Sequence, residues 1–127
     1  MSIIGLGIDF FYMLRIKKIC STKKKKLANK LLNNNELKDY IYNYNESYRF
    51  LSKIFAIKEA ASKALGIGMR NGLNFHSFEI YKNKIGKPKI KFLNYAHYLK
   101  KKKNINKIHV TITYENNYIF ALVILES

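Results

Sequence analysis

Cysteine occurs once, at Cys20, in a chain of 127 residues, so an intramolecular disulfide and a cysteine-based zinc site are both excluded. Proline also occurs once, at Pro88, and with only six glycines there is no Pro/Gly-rich linker. No internal repeat divides the chain. These absences predict a single domain over residues 1–127, long enough to bury a core without disulfides or a structural metal. No apolar run reaches the length needed to span a bilayer. Residues 1–14 are apolar, but they lack the preceding basic segment and the following small-residue cleavage site of a signal peptide. The expected location is the cytoplasm.

Acidic residues are scarce as well. Against 24 Lys+Arg stand 8 Asp+Glu, a formal net charge of +16. A field of that sign draws anionic partners, whether nucleic acid, anionic lipid, a polyphosphate cofactor or an acidic protein. Arginine stands only at positions 15, 49 and 70, and the prevalence of Lys, Asn and Ile is what an AT-rich genome favours. Charge alone does not choose among the partners.

What is abundant is apolar: 48% of residues are hydrophobic, with ten Tyr and eight Phe, enough large area for a core or an interface. Residues 2–9 read as a strand ending at Asp9, with Gly5 and Gly7 in alternate positions. Residues 10–20 read as a helix, followed by the basic run Lys23–Lys26 and the apolar pair Leu31 and Leu32. A turn at 33–35 opens a short helix over 36–42. The longest helix is expected over 46–65, capped by Asn45. Phe50, Ile54, Ile57, Ala61 and Leu65 form its core stripe, and Gly66 marks its end. Strands are expected over 75–81, 89–93, 108–114 and 118–125, with turns at 83–88 and 115–117 and a helix over 95–103. The class is α+β, a small antiparallel sheet packed on a long helix. In the last strand Tyr118, Phe120, Leu122 and Ile124 face one way, and Ile119, Ala121, Val123 and Leu125 the other. A strand apolar on both faces needs cover on both, and another subunit is the expected cover for one.

Two carboxylates stand out. Glu59 lies opposite the core stripe of the long helix, with Lys63 one turn further on the same side. By themselves they read as a solvated i,i+4 pair. Asp9, at the end of an apolar strand, is not explained by packing, because ionised carboxylates are rarely buried without a partner or a metal. The neighbouring glycines would let a bulky ligand approach the backbone. If the strand end meets the long helix, Asp9 and Glu59 form a two-carboxylate site suited to Mg²⁺, which completes its octahedron with water and substrate phosphate. Lys63 and Lys58 would then hold phosphate oxygens.

These segments resemble the holo-acyl-carrier-protein synthase family. Ile4-Gly5-Leu6-Gly7-Ile8-Asp9 followed by Arg15-Ile16 is similar to its opening signature. The run from Phe55 through Lys58-Glu59-Ala60-Ala61-Ser62-Lys63 to Gly66-Ile67-Gly68 is similar to its second, more specific one. Arg70-Asn71-Gly72-Leu73, Gly86-Lys87-Pro88 and His109-Val110-Thr111-Ile112-Thr113 match in order, so the resemblance covers nearly the whole chain. It implies a 4′-phosphopantetheinyl transferase fold and a trimer with active sites at subunit interfaces. By resemblance Asp9 and Glu59 are the magnesium ligands, and Glu59 and Lys63 carry the catalysis. Lys58, Ser62, Lys63, Gly66, Gly86, Lys87, Pro88 and Thr113 are expected at the coenzyme A site. Arg15, Lys17 and Lys18 are expected to dock an acidic acyl carrier protein. The chain departs from the family at Tyr114, where many members have His; at Ile54, where a basic residue is common and Arg49 or Lys53 can substitute; and at Tyr12, which replaces a frequent Glu.

The reaction this implies is attack by a carrier serine hydroxyl on the β-phosphorus of coenzyme A, releasing adenosine 3′,5′-bisphosphate. Glu59 or a metal-bound water accepts the serine proton, and the sequence leaves that choice open. The competing reading is a basic nucleic-acid-binding module built on Lys/Tyr interleaving around residues 39–49. It leaves Asp9 and Glu59 without a role, so neither a nucleic-acid nor a membrane partner is expected. His76, His97 and His109 lack metal-ligand spacing and read as surface or satisfied structural residues.

Overall fold

The structure, a computed structural model, describes residues 1–42 and 47–127. The expected cap at Asn45 and helix start at Glu46 lie outside the described residues.

The first strand, β1 (Ile3–Tyr12), does not stop at Asp9. Its period-two alternation continues through Phe10 and Phe11, so the strand propagates as far as its partner does. Phe10 stacks on Phe120 and Tyr118 with ring centroids 4.4 and 4.6 Å apart. The first helix, α1 (Met13–Leu31), accordingly starts later than expected and runs 11 residues past Cys20, taking in the whole lysine run. Lysine is a good helix former, and Ala28 and Leu31 anchor the second half in the core. A break at Lys23 (φ −128°, ψ 34°) separates the two halves.

A short helix, α2 (Asn34–Tyr42), precedes the central helix α3 (Ser47–Ala64). A 3₁₀ turn at Phe75–Ser77 takes the first three residues of the strand expected over 75–81. Asn74 and Ser77 each bond the other's backbone there, and that reciprocal cap favours the turn over extension. There follow β2 (Phe78–Lys82), β3 (Pro88–Phe92), α4 (Asn94–Lys102), β4 (Lys107–Glu115) and β5 (Tyr118–Glu126). Asn116 and Asn117, both left-handed, make the two-residue turn between the last two strands.

The class is α+β as expected, but the strands divide into two antiparallel sheets: β1-β5-β4 and the hairpin β2-β3. On the inner face of the larger sheet, Ile119, Ala121, Val123 and Leu125 are fully buried beneath α3. That helix lies unusually close to β1. A Cβ on Gly5 would stand 2.0 Å from the Ala64 carbonyl oxygen, and one on Gly7 1.8 Å from that of Ala60. The two glycines therefore admit the helix backbone, and not a bulky ligand as their placement beside Asp9 suggests in the sequence. The outer face carries Leu6, Ile8 and Phe10, which are 60%, 59% and 56% exposed, alongside Phe120, Leu122 and Ile124.

Candidate active site

Seating Ala60 and Ala64 on Gly7 and Gly5 places their chain neighbours Glu59 and Lys63 beside β1, where Asp9 points inward opposite Ala121. The Lys63 Nζ donates to Asp9 Oδ1 at 3.0 Å and to the Ile8 carbonyl oxygen at 3.2 Å. The Glu59 carboxyl is pushed above its ordinary range, first by burial and next by the negative charge of Asp9, with Lys63 opposing. The structure thus brings Asp9, Glu59 and Lys63 together, as the sequence predicts.

One atom here is unexplained by the protein alone: Asp9 Oδ2 is buried without a hydrogen-bond partner among the described residues. A buried carboxylate oxygen in that state is costly. Two carboxylates with an unpartnered oxygen suit a hard cation that draws its remaining ligands from water and phosphate, so the residues present fit Mg²⁺. No group of three or more His, Cys, Asp or Glu side chains gathers among the described residues, here or elsewhere, so this site offers two carboxylates. The His76 ring nitrogen meets the Asn29 carbonyl at 3.0 Å, His109 lies 3.6 Å from Glu126, and His97 is exposed.

Two expected coenzyme A contacts do not survive. Lys58 is completely buried, and its ammonium donates to Glu36 Oε1 and to the Leu31 carbonyl, both at 2.7 Å. Position 58 lies toward α2 and not beside Lys63, so it offers nothing to a phosphate. Ser62 is likewise buried, its hydroxyl donating to the Glu59 carbonyl. Gly66 closes α3 in the left-handed conformation (φ 84°), with open space around it. Gly86 and Lys87 form the exposed β2–β3 turn, and Pro88 opens β3. Thr113 lies on the outer face of the sheet, away from Asp9. Arg15, Lys17 and Lys18 are exposed on α1, the Arg15 guanidinium over the Phe11 ring and the Lys17 ammonium over that of Tyr48.

The sequence reading missed a cleft of about 540 Å³ between α3 and the β2–β3 hairpin. Arg49 and Lys53 line it from α3, Lys82 and Pro88 from the hairpin, Tyr114 from β4 and Asp39 from α2. The Arg49 guanidinium lies 4.9 Å from the centre of the Tyr114 ring. The Lys53 ammonium is pushed below its ordinary range, chiefly by burial and then by Lys82, while Asp39 and Glu36 oppose. Two cations crowded into a half-buried cleft favour an anion. The only sequence signal was the substitution of Ile54 and Tyr114 for polar family residues, with Arg49 and Lys53 nearby; both substituted positions line this cleft.

The comparisons with known proteins agree with this geometry. The profile of the 4′-phosphopantetheinyl transferase superfamily matches residues 5–123. A holo-[acyl-carrier-protein] synthase of Buchnera aphidicola subsp. Acyrthosiphon pisum is 51% identical over 129 residues, covering 100% of both chains. The crystal structure of the Neisseria meningitidis holo-[acyl-carrier-protein] synthase superposes with a TM-score of 0.90 at 25% identity, covering 99% of this chain and 100% of that one. The Helicobacter pylori enzyme, solved in complex with coenzyme A, does so with a TM-score of 0.80 at 26% identity, over 95% and 99%. Full-length similarity of this kind selects an enzyme over a basic nucleic-acid-binding module: the chain belongs to the 4′-phosphopantetheinyl transferase superfamily and is a transferase of the holo-[acyl-carrier-protein] synthase type.

Proposed function

We propose that the chain moves 4′-phosphopantetheine from coenzyme A to a serine of an apo-acyl carrier protein, in a Mg²⁺-dependent reaction that releases adenosine 3′,5′-bisphosphate. The observation that carries this reading is the buried Asp9 Oδ2, without a hydrogen-bond partner among the described residues, beside Glu59 and Lys63. Asp9 and Glu59 would hold the ion, which when bound supplies neutralising charge to the pyrophosphate. Lys63, half-exposed at the rim, holds phosphate oxygens and stabilises the charge that develops on them. Glu59, its carboxyl held above the ordinary carboxylate range by burial and by Asp9, takes the serine proton. The serine oxygen–phosphorus bond forms as the bond from that phosphorus to the bridging oxygen breaks, and the nucleotide bisphosphate leaves.

The cationic cleft takes the nucleotide end of the same substrate, with Arg49, Lys53 and Lys82 matching its phosphates. Arg49 and Glu59 are ten residues apart on α3, about 15 Å along the axis. The exposed apolar outer face of the larger sheet supports assembly as a trimer, in which Thr113 of one copy reaches the coenzyme A site of the next. The basic first half of α1, with Arg15, Lys17 and Lys18, receives the acidic carrier.

Mass spectrometry tests this directly. Apo-carrier incubated with the protein, coenzyme A and Mg²⁺ gains about 340 Da, the mass of one phosphopantetheine group, and Asp9→Ala gives no gain. A carrier of unchanged mass with the wild-type protein would defeat the proposal.

A further inference from the structure

The buried ion pair Lys58–Glu36 lies at the centre of a hydrogen-bonded assembly that the chemistry at Asp9 does not use. Among the described residues, antiparallel β2 pairs with β3 along one edge only. Its other edge would leave backbone groups unsatisfied inside the protein, which folded chains avoid. Two side chains stand where a neighbouring strand would be. The Glu36 Oε2 accepts the Ile80 N–H at 2.7 Å, and the Asn33 side-chain amide donates to the Phe78 carbonyl at 2.8 Å. Glu36 Oε1 in turn accepts the Asn33 N–H and the Lys58 ammonium, each at 2.7 Å. Both charged side chains have no exposed surface. The chain of bonds therefore runs from α3 through Lys58 to Glu36, and from Glu36 to the edge of the hairpin.

That hairpin forms one wall of the cationic cleft, with Ile80, Tyr81, Lys82 and Pro88, while α3 supplies the facing wall with Arg49, Lys53 and Ile54. A hairpin on its own is marginal in water; here the 2.7 Å Lys58–Glu36 ion pair ties its free edge to α3, beside the apolar packing of the two elements.

We propose that Lys58 and Glu36 are positioning residues that set the width of the coenzyme A cleft by strapping the free edge of β2 to α3. This rests on the assignment of the cleft to coenzyme A made above. Removing the strap loosens one wall without touching Asp9, Glu59 or Lys63. The effect falls on substrate binding and not on the chemical step.

The test compares the wild type with Lys58→Met and with Glu36→Gln/Lys58→Met. The double variant removes both charges at nearly constant volume, so no unpaired charge is left buried. In both, the KM for coenzyme A rises about ten-fold while kcat and the KM for the carrier stay within about two-fold. A purely structural pair would lower Tm and leave KM untouched. Amide hydrogen exchange supplies a readout independent of catalysis. The Ile80 amide loses protection in the double variant while amides in the middle of α3 keep theirs. A wild-type KM for coenzyme A in the folded double variant overturns the strap, as does Ile80 protection equal to that of the wild type or lost equally throughout the protein. A wild-type protein that binds no coenzyme A instead defeats the assignment of the cleft, and the exchange measurement still decides the strap.

Discussion

At the scale of single residues, Glu59 makes the sharpest prediction, because its raised pKa fixes a sign. In the metal-free protein burial and Asp9 penalise its ionised form. At pH below the ordinary carboxylate range it is protonated in the folded and unfolded chains alike and contributes nothing. As pH rises through the interval between its ordinary and its raised value, the unfolded chain ionises first and stability falls. Without metal, Glu59→Gln should therefore melt above the wild type near neutral pH, and the gap should close as the solution is acidified. Mg²⁺ should reverse that order by binding only the intact pair. Thermal melts at two pH values, with and without Mg²⁺, check both. A metal-free Glu59→Gln that melts at or below the wild type near neutral pH contradicts the account. Lys63→Met should lower kcat by roughly 10²-fold, the usual scale for losing one group that stabilises developing charge, as read in steady-state transfer assays.

Asp9 and Glu59 were legible in the sequence because carboxylates in apolar settings demand an explanation. Lys58 was misassigned for a physical reason. On a helical projection it stands next to Glu59, and nothing in the local sequence signals that Glu36, 22 residues away, comes to meet it. Buried ion pairs between distant residues are tertiary facts. The same holds for the Asn33 and Glu36 side chains that complete the edge of β2.

At the scale of elements, the proposed site depends on how closely α3 lies on β1. Alternate glycines in a strand are visible in the sequence. What they admit, the Ala60 and Ala64 backbone, is visible only once the helix is placed. Gly7→Ala would drive a methyl group into the Ala60 carbonyl oxygen and push the helix off the strand, parting Glu59 and Lys63 from Asp9. The expected cost is about 3 kcal/mol, at the upper end for overpacking, measured by denaturant unfolding, with transfer activity lost even where the variant remains folded. Stability within about 0.5 kcal/mol of wild type would mean that the close approach is dispensable. Element type was readable wherever the periodicity was long and regular, as in α3 and β5. It failed at Phe10–Tyr12, over residues 21–31 and at Phe75–Ser77, where β-sheet stacking, the anchoring of Ala28 and Leu31 in the core and a reciprocal cap decided the outcome.

At the scale of the whole molecule, two surfaces remain to be matched with partners: the basic face of α1 and the apolar outer face of the larger sheet. The final strand alone indicated that second face, since both its alternating sets are apolar; β1 extends the face with Leu6, Ile8 and Phe10. Solvent contact over such an area is unfavourable, and covering it with further copies removes the cost. Thr113 connects this to catalysis. It stands on the outer face, so it can serve a coenzyme A site only in a neighbouring copy. Leu122 lies on the central strand β5, flanked by Ile8 and Thr111 in register, and Leu122→Lys places a charge in the middle of the face. In sedimentation, the wild type should run at about three times the 14.9 kDa chain mass and the variant as a monomer. The variant should keep its fold, because Leu122 points away from the inner core, yet lose transfer if, as proposed, each site draws Thr113 from a neighbouring copy. A monomeric variant with full activity would separate assembly from catalysis and leave Thr113 without a role at the site.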